Sequence, residues 1–161
     1  MHKNTPPHAF FYSLAAASQR VEMDDANNNR SDASASHLIA VVDDDPSIRK
    51  IMGYLLPGAG YRVVMWTRAT GAAAMIERER PALVILDIKM EHERAGLDVL
   101  RAVRRQSATT AIPILFVSAW ADSLVLDERD ELRAARADTM LKPFKFRDLL
   151  EKIGEMIASR N

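Results

Sequence analysis

The chain contains no cysteine among its 161 residues. That excludes a disulfide framework and any metal site built on thiolates. It has no excess charge of either sign, since 22 Lys and Arg face 22 Asp and Glu. That balance argues against a chain built chiefly to grip nucleic acid or an anionic membrane. No apolar run approaches the roughly 20 residues that a membrane-spanning helix requires. No internal repeat is present. What is there is ordinary globular material, 48% apolar and of a length that suits one domain with a tail.

The first 36 residues stand apart. Residues 24–36 read DDANNNRSDASAS, which is polar, small and without periodicity. The composition predicts a disordered tail over 1–36 ahead of one folded domain over 37–161. Upstream, Ala9-Phe10-Phe11-Tyr12-Ser13-Leu14 is weakly apolar. It admits three further readings: the core of a signal peptide, an untranslated stretch ahead of a start at Met23, or an amphipathic segment that docks on a partner.

From residue 37 two patterns alternate. Near-continuous apolar and β-branched runs at 38–42, 61–66, 83–87, 112–117 and 139–141 read as strands covered on both faces. Between them lie helical segments. Asp44 or Asp45 is placed to cap the first, with Pro46 in its opening turn and Ile48, Ile51, Met52 and Leu55 on one face. Pro57, Gly58 and Gly60 are expected to stop it. Further helices are expected over 70–80, 97–105 and 122–136. A last one carries Phe146, Leu149, Leu150, Ile153 and Ile157 inward. Five strands alternating with five helices predict an α/β fold, a doubly wound parallel sheet with helices on both faces. In such sheets ligands bind outside the carboxyl ends of the strands.

Those ends carry the polar groups. Leu38–Val42 runs into Asp43-Asp44-Asp45, 83–86 into Asp87, 114–117 into Ser118, and Met140-Leu141 into Lys142-Pro143. Crowded carboxylates repel one another unless a cation neutralises them or some take protons. Oxygen ligands without His or Cys suit Mg²⁺ or Mn²⁺ rather than zinc. Lys142 adds a point charge and Ser118 a hydroxyl donor for phosphoryl oxygens. A carboxylate nucleophile in that company is equipped for phosphoryl transfer that forms an aspartyl phosphate. Taken singly, each element has a plainer reading. An Asp after an apolar run is commonly a cap or turn residue, Ser118 a strand-end hydroxyl, and Lys142-Pro143 a loop.

Together, VVDDDPSIRK at 41–50, LVILDIKM at 83–90, ILFVSAW at 114–120 and LKPF at 141–144 resemble the receiver domain of two-component response regulators. The resemblance covers 37–161, and the separations fit it: 43 residues from Asp44 to Asp87, 31 to Ser118 and 24 to Lys142. It implies a flavodoxin-like, CheY-like fold with strand order 2-1-3-4-5. It also implies roles. Asp87 would be the phosphoacceptor. Asp44 would bind Mg²⁺ directly and Asp43 largely through water, with Asp87 and the backbone carbonyl of Lys89 completing the set. Ser118 and Lys142 would contact the phosphoryl group, Ala119 would leave room for it, and the Lys142–Pro143 bond would be cis.

The departures are in one loop and two aromatic positions. Receivers commonly follow the phosphoacceptor strand with a Met-Pro-Gly-type turn and then Asp-Gly. Here Met90 is followed by Glu91-His92-Glu93-Arg94-Ala95-Gly96, one residue longer and without the proline or second acid. Loop lengthening costs little. The usual aromatic three residues before the lysine is Thr139. Trp120 is expected at the mouth of the site, half packed. His92 reads as a solvated loop residue, and Arg101, Arg104 and Arg105 as a solvated helix face.

The resemblance implies a stand-alone, cytoplasmic receiver, a phosphoacceptor rather than a turnover enzyme, that assists its own phosphorylation and dephosphorylation. Its donor would be a histidine kinase or histidine phosphotransfer protein. Its output would be a protein target met through helix 4, strand 5 and helix 5, without direct contact to nucleic acid or membrane, and with a homodimer allowed. Two other readings compete. A haloacid-dehalogenase-like Mg²⁺ phosphatase would use Asp43 as nucleophile and leave Asp87 unexplained. A pseudo-receiver would bind partners without accepting phosphate.

Overall fold

The computed structural model describes residues 37–119 and 126–159. The expected tail over 1–36 and Trp120 lie outside the described residues, as does the 122–125 part of the fourth expected helix. Strands and helices alternate strictly. They are β1 (Leu38–Val42), α1 (Pro46–Gly58), β2 (Arg62–Trp66), α2 (Ala72–Glu79), β3 (Leu83–Leu86), α3 (Ala95–Arg104), β4 (Ile114–Ser118), α4 (Leu126–Ala134), β5 (Ala137–Leu141) and α5 (Phe146–Ala158). The strands form one parallel sheet in the order β2-β1-β3-β4-β5. Fold class and strand order are those expected.

Side chains of successive strand residues point to opposite faces, and the two faces bury separate cores. Ala40, Val42, Val84, Leu86, Ile114 and Phe116 pack with α2, α3 and Leu132 of α4. Ile39, Val41, Leu83, Ile85, Leu115 and Val117 pack with Met52 and Leu56 of α1 and Leu149 and Ile153 of α5. That explains why the central strands read as unbroken apolar runs.

Several boundaries differ from expectation, each for a local reason. α1 runs through Pro57 to Gly58, because a proline so near the C-terminus forfeits little of the helix's hydrogen bonding. The chain turns instead at Gly60, whose φ is +90°. Ile51 is not inward: it is 46% exposed, and the buried stripe is Met52 and Leu56. β4 starts at Ile114, after Pro113, which has no N–H to donate but whose carbonyl accepts from the Val84 amide at 3.0 Å. β5 begins two residues early at Ala137, where pairing to Ile114 and Leu115 extends a strand of little apolar pattern. α2 and α3 are shifted by about one turn at most from their expected spans.

Candidate functional site

The sheet register sets the site. Val42 pairs with Leu86, so the next residue of each strand, Asp43 and Asp87, emerges side by side. The ladder continues one rung further, with the Asp87 amide donating to the Val42 carbonyl at 2.9 Å. Asp43 in turn donates its amide to the Trp66 carbonyl at 3.2 Å. On the other side, Ser118 pairs with Leu141, and the Lys142 amide donates to the Ser118 carbonyl at 3.1 Å. Parallel pairing therefore gathers at one edge the four strand ends singled out by sequence.

Carboxylate oxygens of Asp43, Asp44 and Asp87 lie within 4.8 Å of one another. Asp44 is exposed, while Asp43 and Asp87 retain 3% and 9% exposure. Asp45 takes no part in that cluster. Its carboxylate accepts from the Ser47 amide at 2.7 Å and caps α1, with Pro46 following. Asp43 Oδ1 accepts from the Asp45 amide at 2.8 Å, and Arg49 Nη1 donates to the Asp43 carbonyl at 2.8 Å. The cap and the first acid are thus built together.

Lys142 stands between the two buried acids. Its Nζ lies 2.8 Å from Asp43 Oδ2 and 3.3 Å from Asp87 Oδ2. Burial works against its charge, but the hydrogen bond and charge of Asp43, with Asp87 behind, raise it above the ordinary lysine range. Burial also pushes the Asp43 carboxyl above the ordinary aspartate range. Lys142 and the Asp45 amide pull it down, Asp87 adds to the push, and burial prevails. The Lys142–Pro143 bond is cis. Ser118 is fully buried and Ala119 beside it is exposed. The Lys89 amide approaches Asp87 Oδ1 at 3.4 Å.

The donor set fits a hard divalent cation: three carboxylates from two adjacent loops, no nitrogen or sulfur ligand, and one acid exposed enough to leave open positions. Bound there, the cation would neutralise the acids and polarise a phosphoryl oxygen.

Gly96 was legible only as part of an unusual loop. A Cβ at that position would clash with the Asp87 carbonyl oxygen and come 2.9 Å from Ile88 Cα. Its amide donates to the Ile88 carbonyl at 2.9 Å, so the start of α3 is pressed against the backbone that carries Asp87. The sequence reading starts this helix at 97, one residue past Gly96, whereas α3 begins at Ala95 and takes Gly96 into its first turn. His92 is exposed as expected, with Nε2 3.3 Å from Asp98 Oδ2. The arginine cluster is not a plain solvated face. Arg104 is half-buried and donates to the carbonyls of Ala135, Thr109 and Ile112. Arg101 grips Glu131 through two nitrogens at 2.8 and 2.9 Å.

With that geometry in view, comparisons with known proteins converge. A family model described as the response regulator receiver domain matches residues 39–154. The chain is 31% identical over 115 residues to the DNA-binding response regulator MtrA of Mycolicibacterium smegmatis, an alignment covering 71% of this chain and 48% of the relative. It is 32% identical over 130 residues to the probable transcriptional regulator ycf27 of Guillardia theta, covering 81% and 49%. The chain thus spans about half the length of these curated relatives. Among solved structures it is similar to the receiver domain of a sensor histidine kinase from Pseudomonas aeruginosa PAO1, with TM-score 0.66, 27% identity, and 77% and 99% of the two chains covered. That neighbour has a magnesium ion coordinated in its active-site cleft. The Vibrio cholerae chemotaxis protein CheY4 gives TM-score 0.66 at 28% identity, covering 76% and 99%. A family match over residues 39–154, most of the chain, has one reading: the chain belongs to the response regulator receiver domain family of two-component signal transduction.

Proposed function

We propose that the domain over 37–161 accepts a phosphoryl group on Asp87 from a histidine kinase or histidine phosphotransfer protein and signals through protein contacts. The observation that carries this reading is the position of Lys142, whose ammonium bridges Asp43 and Asp87 at 2.8 and 3.3 Å beside the exposed Asp44. An Asp87 oxygen forms the new bond to phosphorus while the bond from phosphorus to the donor's imidazole nitrogen breaks, and that nitrogen keeps the electron pair. Lys142 exchanges its contact with Asp87 Oδ2 for a phosphoryl oxygen, and the Ser118 hydroxyl donates to another. Asp43, Asp44, Asp87 and the Lys89 carbonyl would hold Mg²⁺, or Mn²⁺ on the same oxygen set, which offsets charge on the phosphoryl group. The same groups assist loss of the phosphoryl group to water, so the chain is a phosphoacceptor and not an enzyme acting on a separate substrate.

Output is assigned to α4, β5 and α5. Thr139 and Leu141 are exposed on β5, Leu141 at 43%, which supports a protein-binding face there. Among the described residues no helix is long and apolar enough to cross a membrane. A kinase or phosphotransfer donor of this kind would meet the chain in the cytoplasm.

The test is incubation with Mg²⁺ and acetyl phosphate followed by intact mass. We expect one phosphoryl adduct in the wild type and none in Asp87→Asn. An adduct that survives Asp87→Asn and vanishes in Asp43→Asn would point to the phosphatase chemistry instead. No adduct with any small phosphodonor would point to a pseudo-receiver.

A further inference from the structure

The loop after Asp87 carries a carboxylate that reaches out of its own segment. Glu91 Oε2 accepts from the Ala69 amide at 2.9 Å, and Oε1 accepts from the Thr70 amide at 3.1 Å. Both oxygens end on the turn between β2 and α2. That turn lacks a cap of its own. α2 begins at Ala72 behind Gly71, which makes no side-chain cap bond. Unsatisfied amides and the positive end of the helix dipole favour an anion at such a start. Glu91, from a different loop, places its carboxylate just ahead of that start, on the amides of Ala69 and Thr70. Glu91 is exposed, yet both of its oxygens are engaged by amides of another segment.

The contact continues inward. Trp66 Nε1 donates to the Thr70 carbonyl at 3.0 Å. The Trp66 ring lies against Gly71, where a Cβ would come 3.0 Å from Cζ2 and where φ is +80°. The Trp66 carbonyl accepts from the Asp43 amide at 3.2 Å. Asp43 meets Lys142, and Lys142 meets Asp87. From Asp87 along 88–91 to Glu91, across to Thr70, through Trp66 to Asp43 and Lys142, the path returns to Asp87. It is a closed ring of covalent and hydrogen-bonded links that includes two of the three acids.

We propose that Glu91 is a positioning residue that locks the 88–91 segment to the β2–α2 turn and thereby holds Asp87 and the Lys89 carbonyl in the arrangement that takes Mg²⁺. This rests on the functional reading above and deepens it. Glu91 itself touches neither the cation nor the phosphoryl group. Its effect is on how well the ligand set is organised before binding, since groups behind metal ligands commonly control affinity.

Two measurements on the full chain test this, with Glu91→Ala, Glu91→Gln and a control, Arg101→Ala, which loosens the distant α3–α4 contact. Amide hydrogen exchange in metal-free protein reads the clamp directly. Ala69 and Thr70 should exchange faster in Glu91→Ala and to an intermediate degree in Glu91→Gln, which keeps one acceptor oxygen. Calorimetric titration with Mg²⁺ reads the positioning. Glu91→Ala should bind roughly tenfold more weakly, while adduct formation at saturating Mg²⁺ stays near wild type. The control should match wild type in exchange at Ala69 and Thr70 and in Mg²⁺ affinity. Unchanged exchange at Ala69 and Thr70 overturns the clamp. Faster exchange with wild-type Mg²⁺ affinity reduces Glu91 to a structural cap and overturns the positioning role. A wild-type chain that binds no Mg²⁺ overturns the functional reading, and the positioning role with it, while the exchange data still report on the clamp.

Discussion

Asp43 is the most confined of the three acids. Its carboxyl titrates above the ordinary aspartate range because burial penalises the charge, despite Lys142 and the Asp45 amide. A folded-state value above the unfolded one means that the fold favours the protonated acid. The contribution of Asp43 to stability is therefore fully present at acid pH and is lost as pH rises from 3.8 through the folded value. At pH 7 without divalent cation, Asp43→Asn should raise the urea midpoint and weaken the gain in stability on acidification. Mg²⁺ at about a hundred times its Kd should add about 2.7 kcal/mol to the wild type and much less to Asp43→Asn. A midpoint that falls in Asp43→Asn would show that the bond to Lys142 outweighs burial. Gly96 makes a second prediction at this scale. Since a Cβ there would clash with the Asp87 carbonyl oxygen, Gly96→Ala must push α3 or the backbone that carries Asp87 aside. The expected loss is between about 1 and 3 kcal/mol, together with reduced adduct formation. Wild-type stability and labelling would contradict the close packing.

Among elements, α4 is held in an unusual way. Leu132 is its one buried apolar side chain among the described residues. Polar bonds join it and its flanks to α3 and the residue before α3: Arg94 to Glu128 at 2.7 Å, Arg101 to Glu131, and Arg104 to the Ala135 carbonyl at 2.8 Å. The Arg101–Glu131 pair is exposed, of a kind worth only about 0.2–1 kcal/mol and screened by salt, whereas the Arg94 and Arg104 bonds are partly buried. Arg101→Ala should thus cost little overall stability yet speed amide exchange in α4. Arg104→Ala should cost more, about 1–3 kcal/mol, because it strips a donor from partly buried carbonyls. Equal effects of the two substitutions would contradict this division. The elements themselves were readable where pattern and burial coincide. Leu83–Leu86 is apolar throughout because both of its faces are covered. Reading failed where pairing or charge decides instead. Asp138 sits in β5 because Leu115 pairs with it and Lys152 meets its carboxylate at 2.7 Å. Ile51 completes an apolar spacing yet faces solvent, because the sheet contacts the stripe of Met52 and Leu56.

At the scale of the whole molecule, the site follows from topology. Placing β1 beside β3 turns residues 44 apart in sequence, Asp43 and Asp87, into neighbours, and β4 and β5 bring Ser118 and Lys142 to the same edge. A parallel sheet puts all its carboxyl ends together, so the strand pattern and the polar residue at or just past each strand end are enough to locate the groups. The loops behind them were not readable in the same way. The reach of Glu91 to Ala69 and Thr70 depends on how two turns meet in space, and no periodicity encodes that. The central claim is that Asp87 takes the phosphoryl group. The most direct measurement is to phosphorylate the chain with acetyl phosphate and Mg²⁺, reduce the acyl phosphate with borohydride, and map the modified residue by peptide sequencing. Homoserine is expected at position 87 and nowhere else. Homoserine at position 43, or none in a chain that binds Mg²⁺, would contradict it.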